Sequence, residues 1–551
     1  MMSNANSDLI AKILTEDLLS EDSSESEYEP SVDEEEDFLE QEEDVSESSE
    51  EEADSSDGEE PEQSQGVFIS KNSQETWSKE PQRAPQGRQP ALNVMNRSPG
   101  PTRHALREVD TIESSFRLFM KNSLLREIIH WSNKEGRLTY GEDWKAMDET
   151  ELSCFLGLLI LAGVFKAHHE AITELWNKED GRAIFSASMA RSRFQQITRI
   201  LRFDNAESRR RQAVQEDKLQ PIRSFFESWV SGLQDCYMPH ENVTVDEQLM
   251  VFRGRCPFRQ YIPSKPGRYG IKIWTLCDSK TTYVYNMQVY TGRSEGQTKE
   301  KNQGERVVMD LIRGLEKSGR NVTTDNFFTS LSLARKLKSM NLTLLGTIRK
   351  NKGELPNELV ATKKREKFSS IFAFQDQETL VSYCPKKGKV VLLLSTMHFQ
   401  PEVSEATDKK PLMILDYNAT KAGVDTMDQM VRNYTTKRKT RRWPMALFYN
   451  MVDVSALNAF IIWMHLKPDW NESSDHRRRR FLLELGKSLI QANQERRVQM
   501  PPPLPQKAQK RGRCSYCARS NDLKQSTFCS VCAKFVCNEH SRVVCYVCMQ
   551  P

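Results

Sequence analysis

The feature that most limits what this chain can fold into is a change of hydrophobic period near residue 240. From about residue 105, apolar residues recur at three- and four-residue spacing. SSFRLFMKNSLLREIIHWSN and DETELSCFLGLLILAGVF are the clearest runs, and both predict helices. Beyond residue 240 the period shortens to two. NVTVDEQL, YGIKIWTLCD and TTYVYNMQVY, rich in β-branched and aromatic residues, predict three successive strands. GERVVMDLIRGLEKSG predicts a helix closed by glycine, NVTTDNFF a fourth strand, LSLARKLKSM a helix and LTLLGTIRK a fifth strand. The order βββαβαβ implies an α/β unit with three antiparallel strands followed by parallel pairing.

Residues 351–412 break this order with a Lys-rich, mostly β stretch (FSSIFAF, TLVSYC, KVVLLLST). PLMILDY is expected to add a short strand, and KAGVDTMDQMVRNY a helix with Gly423 just before it. Helical periodicity returns in RWPMALFYNMVDVSALNAFIIWMHL and HRRRRFLLELGKSLIQANQERR, and MPPPLPQKAQKRGR reads as a basic linker. The expected units are therefore 1–104 (disordered tail and linker), 105–241 and 435–500 (helical), 242–350 and 413–434 (an α/β core in two parts), 351–412 (a β-rich insertion), 501–513 (linker) and 514–551 (cysteine-rich).

Charge is divided along the chain. Residues 1–70 hold 26 acidic residues against one lysine, a balance of −25, whereas the remainder carries +26. An acidic segment with so few apolar residues cannot offset the entropy of ordering, and a body this basic calls for a polyanionic partner. No run of 18 apolar residues is present and the N-terminus lacks the basic start and apolar stretch of a secretory signal, so neither a membrane nor the secretory route is expected.

Four aspartates stand out by position. Asp246 lies in the first predicted strand, Asp325 at the end of the fourth, and Asp425 and Asp428 three apart on the helix that follows the insertion. Neighbouring first and fourth strands would bring Asp246 and Asp325 together, and the helix face would close a carboxylate cluster. Such oxygen donors suit Mg²⁺ and phosphoryl transfer, although an Asp at a strand end or in a first helical turn also serves as a turn or cap residue. The strand of Asp246 runs at once into Arg253 and Arg255, which read either as surface ion pairs or as phosphate contacts beside a metal.

At the C-terminus the spacing is Cys514-x2-Cys517-x11-Cys529-x2-Cys532-x4-Cys537-x2-His540-x4-Cys545-x2-Cys548. Eight soft ligands in four pairs suffice for two tetrahedral Zn²⁺ ions, and a 38-residue unit needs such staples to fold. Pairing can be sequential, or interleaved with Cys514, Cys517, Cys537 and His540 on one ion and Cys529, Cys532, Cys545 and Cys548 on the other.

The stretches VDEQLMVFRGRCPFRQYIPSKPGRYGIKIW, TTDNFFTSL, KAGVDTMDQM and KRKTRRWPMALFYNM resemble the piggyBac family of DDE/D transposases, from about residue 115 onward. The resemblance implies an RNase H-like catalytic core with a β-rich insertion, flanked by helical dimerisation and DNA-binding segments and followed by a cross-brace zinc-finger domain. It implies that Asp246, Asp325 and Asp425 form a Mg²⁺-binding catalytic triad, assisted by Asp428. It further implies a homodimer in the nucleus that cuts and pastes DNA through hairpin intermediates at TTAA, with the zinc domain binding terminal inverted repeats of double-stranded DNA. It favours the interleaved zinc pairing, although the histidine is sixth of the eight ligands, unlike the usual ubiquitin-ligase or histone-reading cross-brace. Lys265, Arg268, Lys272 and Asn326 extend the expected DNA track, with Tyr261 placed to pack on a sugar or a flipped base. The competing reading is a domesticated, transposase-derived DNA- or chromatin-binding protein without transposition activity.

Overall fold

The computed structural model describes residues 2–22, 66–81, 95–205, 207, 217–263, 265, 267–292, 300–499, 511–518, 524–527 and 534–541. The acidic run 23–65 and Cys529, Cys532, Cys545 and Cys548 lie outside them.

The centre of the molecule is one 11-stranded mixed sheet. Its strands in chain order are β1 (Val67–Ile69), β2 (Thr76–Ser78), β3 (Asn242–Val251), β4 (Gln260–Tyr261), β5 (Tyr269–Asp278), β6 (Val284–Val289), β7 (Asn321–Thr324), β8 (Thr343–Thr347), β9 (Ser370–Gln375), β10 (Glu378–Tyr383) and β11 (Val391–Ser395). The spatial order is β1-β2-β9-β10-β11-β8-β7-β3-β5-β4, with β6 also on β5. As the βββαβαβ order implies, β3, β5 and β6 pair antiparallel, while β7 joins β3 and β8 joins β7 in parallel. The intervening helices, Gln303–Leu311 and Leu331–Ser339, provide the crossovers that parallel pairing requires.

Five flanking helices, α1 (Met2–Asp22), α2 (Leu412–Thr420), α3 (Gly423–Asn433), α4 (Trp443–Leu466) and α5 (Arg477–Gln499), complete a helical layer with Asn122–Tyr140 and Glu149–Val164. α4 is long and apolar enough to cross a membrane by composition, but nearly all of it is buried inside the protein as a core helix. Arg193 and Arg202, on or next to the basic helix Arg191–Ile200, pair with Glu151 and Glu135, so these two charges hold the helical region together.

Three expectations are corrected. Residues 2–22 are helical rather than part of a disordered tail. Ile10, Ile13 and Leu14 are buried against the core, and Asp17 forms a buried ion pair of 2.8 Å with Arg478 of α5. Ser7 reaches His240, whose other ring nitrogen meets Asp278, both at 2.7 Å and all buried. Residues 67–78, expected to straddle the disordered tail and the linker, form a hairpin that adds to β9 and buries Trp77. PLMILDY is a helix, α2, not a strand: Met413, Ile414 and Tyr417 fall at helical spacing and pack on Val381, Tyr383 and Leu393, while Leu415 stays exposed. The insertion is β-rich as expected, and its strand β11 pairs with β8, so it extends the central sheet.

Candidate active site

The parallel register of β3 and β7 sets Asn242 opposite Asn321 and Val245 opposite Thr324. The next residue on each strand is an aspartate, Asp246 on one and Asp325 on the other. Side chains alternate along a strand, so Thr244, Asp246 and Gln248 share a face of β3. α3 lies over that face. Its first residue must be glycine-sized, because a Cβ on Gly423 would stand 2.7 Å from the Thr244 hydroxyl oxygen. This close approach places Asp425, in the first turn, and Asp428, one turn later, over the strand. Gln248 Nε2 donates to Asp428 Oδ1 at 2.9 Å, tying helix to strand.

The electrostatics are those of a crowded acid site. Burial pushes the Asp246 carboxyl well above the carboxylate range; Asp425, Asp325 and Glu247 push it further, against the opposing charge of Lys265. Lys265 Nζ lies 3.2 Å from Asp425 Oδ1. Burial alone would lower the lysine, but the carboxylates of Asp246 and Asp425 outweigh it and raise its pKa. Burial also raises Asp428, while Arg432 and Gln248 draw it back; Arg432 Nη2 donates to Asp428 Oδ2 at 2.5 Å. With Gln248 on one oxygen and Arg432 on the other, Asp428 is built to hold α3 in place. Asp325 Oδ1 accepts the Phe327 N–H at 3.0 Å, so this side chain also shapes the turn after β7. The phenol of Tyr417, buried beneath the site, is raised by burial and by the nearby charge of Asp325.

All the acidic donors are hard carboxylate oxygens, and the Lys265 ammonium already stands among them as a cation. The donor set therefore suits a divalent ion held by Asp246, Asp325 and Asp425.

Of the residues expected on the DNA track, Arg253, Arg255, Tyr261 and Arg268 are exposed. Lys272 is drawn out of the expected track: it pairs with the buried Glu247 and lies over the Phe327 ring. Asn326 accepts from Arg349 Nε at 3.1 Å. In the basic run after α3, Arg438 and Arg442 are bound to backbone carbonyls of the helical region (Ala167 and Glu170; Thr198, Arg199 and Leu201), whereas Lys439 and Arg441 face outward. Sequence reading missed Gln248, Arg432 and the direct Lys265–Asp425 contact. Two signals were available: Gln248 shares the strand face of Asp246, and Arg432 follows Asp428 by four residues on one helix.

At the C-terminus, Cys514, Cys517, Cys537 and His540 come together with their ligand atoms all within 4.8 Å of one another. Cys537 Sγ and Cys517 Sγ lie 3.1 and 3.4 Å from His540 Nδ1. This is the first ligand set of the interleaved pairing and is compatible with a tetrahedral Zn²⁺ site. Among the described residues no other group of three or more such side chains is drawn to that spacing, and the aspartates stand further apart with Lys265 against them.

A family model described as "Transposase IS4" matches residues 113–460. Human PiggyBac transposable element-derived protein 3 is 26% identical over 362 residues, covering 61% of this chain and 58% of that protein. Human PiggyBac transposable element-derived protein 2 is 22% identical over 366 residues, covering 63% of this chain and 60% of that protein. The chain thus spans somewhat over half the length of these curated relatives. Among solved structures, the cryo-EM structure of the piggyBac transposase synaptic complex with hairpin DNA matches with a TM-score of 0.70 and 35% identity, over 82% of this chain and 100% of that one.

Proposed function

Because the chain belongs to the piggyBac-type transposase family, matched over residues 113–460 and along the full length of a solved piggyBac transposase chain, we propose that it is a DNA transposase that cuts and rejoins strands by phosphoryl transfer. The observation that carries this reading is the register of β3 and β7, which sets Asp246 level with Asp325 while α3 lays Asp425 over them. Asp246, Asp325 and Asp425 would hold Mg²⁺, which would supply the positive charge that polarises a scissile phosphate and activates an attacking oxygen. Asp428, fixed by Gln248 and Arg432, keeps α3 in register with β3. Lys265 supplies positive charge against the cluster, and Arg253, Arg255 and Arg268 present guanidinium groups to the phosphates on either side. Water or a 3′-OH serves as the nucleophile in turn, so one carboxylate set suffices for nicking, hairpin formation, hairpin opening and joining to TTAA. The zinc module binds the terminal inverted repeats, and the protein acts as a homodimer in the nucleus. The solved relative is a synaptic complex with hairpin DNA, which supports the DNA partner and the hairpin route.

The test is excision of a donor flanked by the chain's own terminal repeats, in Mg²⁺, scored for hairpin-ended product and TTAA repair. Asp246→Asn, Asp325→Asn and Asp425→Asn are each expected to abolish cleavage and leave end binding within about twofold, because removing a metal ligand leaves the phosphate contacts in place. Tight end binding by the native chain without any cleavage would instead identify a domesticated DNA-binding descendant.

A further inference from the structure

Large aromatic side chains add to stability by being buried, yet two that face each other across the β4–β5 hairpin are in solvent. Tyr261 and Tyr269 are paired in register and are 53% and 41% exposed. Their ring centroids lie 4.7 Å apart at 40°. The Arg259 guanidinium stands over the Tyr269 ring at 5.4 Å, and Arg259 Nη1 is fixed by the carbonyls of Arg253 and Gly254 at 3.0 and 3.2 Å. The result is a two-ring platform with a cation held over one face.

Two features say what such a platform takes. The first is charge: residues 253–269 present four exposed arginines, Arg253, Arg255, Arg259 and Arg268, and contain no acidic residue. Exposed rings among exposed guanidinium groups are the composition that holds single-stranded nucleic acid, with the charges on the backbone and the rings under the bases. The second is place. The tyrosines form the neck of a hairpin closed by Ile262 N–H to Arg268 carbonyl at 2.8 Å and Arg268 N–H to Lys265 carbonyl at 2.9 Å, and Lys265 touches Asp425. The four residues from Tyr261 to Lys265 span at most about 14 Å of backbone, which keeps the platform within a few nucleotides of the acidic cluster. A paired base inside a duplex offers no free face to a tyrosine, whereas an unpaired base at a hairpin tip does.

We propose that Tyr261 and Tyr269, with Arg259, form a stacking site for an unpaired nucleobase next to the scissile phosphate, an assignment that rests on the transposase reading above. The site holds the hairpin tip by its base while the carboxylates act on its backbone.

The test uses the full chain in EDTA and two probes with the same stem: a hairpin with an unpaired TTAA tip carrying 2-aminopurine, and a blunt duplex. The native chain and Tyr261→Phe are expected to quench the 2-aminopurine and to bind the hairpin roughly tenfold more tightly than the duplex. Tyr261→Ala and Tyr269→Ala, both at exposed positions, are expected to lose the quenching and most of that preference. Retention of both by the alanine variants would overturn the site. Equal binding of the two probes by the native chain, without quenching, would remove the stacking site and leave DNA binding standing. Failure of the native chain to bind either probe would remove the transposase reading along with it.

Discussion

At the scale of single residues, the site mixes what chain order specifies with what only the fold brings together. Asp246 and Asp325 are legible because strand order makes their strands neighbours and parallel pairing makes them level. Arg432 is legible as the i+4 partner of Asp428. The Lys265–Asp425 contact is not, because it joins residues 160 apart through a hairpin tip whose direction no local pattern encodes. This lysine opposes any cation entering between Asp246 and Asp425. Lys265→Met, which keeps the length and removes the charge, should tighten Mn²⁺ binding severalfold in DNA-free protein, as read by electron paramagnetic resonance. An unchanged Mn²⁺ affinity would mean that the ammonium does not shape the ion site.

At the scale of elements, periodicity located every core strand, β3 and β5 almost residue for residue and β6, β7 and β8 as longer runs than the strands formed, because each alternates or is buried between neighbours that demand it. It failed at PLMILDY, where a seven-residue apolar run fits either period and packing on the insertion strands decides. It also failed at the N-terminus, where acidic composition hid a helix whose worth lies in tertiary contacts. α1 has little amphipathic pattern of its own; it is held by Asp17 on Arg478, Ser7 on His240 and Asn6 on the His465 carbonyl. Removing one partner of a buried pair leaves the other charge uncompensated. Asp17→Asn should therefore cost about 3 kcal/mol, toward the low end because Arg478 keeps the Met430 carbonyl and the Tyr434 ring. Denaturant unfolding measures this, and Asp17→Asn combined with Arg478→Met should recover part of the loss. A loss below about 0.5 kcal/mol would show that α1 contributes little to the folded state.

At the scale of the whole molecule, the sheet runs from the 67–78 hairpin through the insertion to the catalytic strands, so both anchors of the 23–65 segment, α1 and β1, belong to the folded body. The chain's charge division can therefore be tested without disturbing the fold, by replacing residues 23–65 with a neutral Gly/Ser linker. Duplex affinity should rise severalfold at low salt and converge with that of the native chain at high salt, as screening removes the difference. Equal affinities at low salt would mean that the acidic segment does not compete with DNA. The division was plain in the sequence; that its flanks are structured was not, since the partners of α1 lie hundreds of residues away. That separation has a consequence for biosynthesis. Asp17 waits for Arg478, 461 residues later. At a synthesis rate of roughly 5–20 residues per second, about 20–90 s pass between the two. Through that interval the first helix emerges with its docking surface unmade, so its burial reports that the ribosome has finished the last core helix. A nascent chain halted before α5 would leave this helix undocked and available to chaperones and proteases.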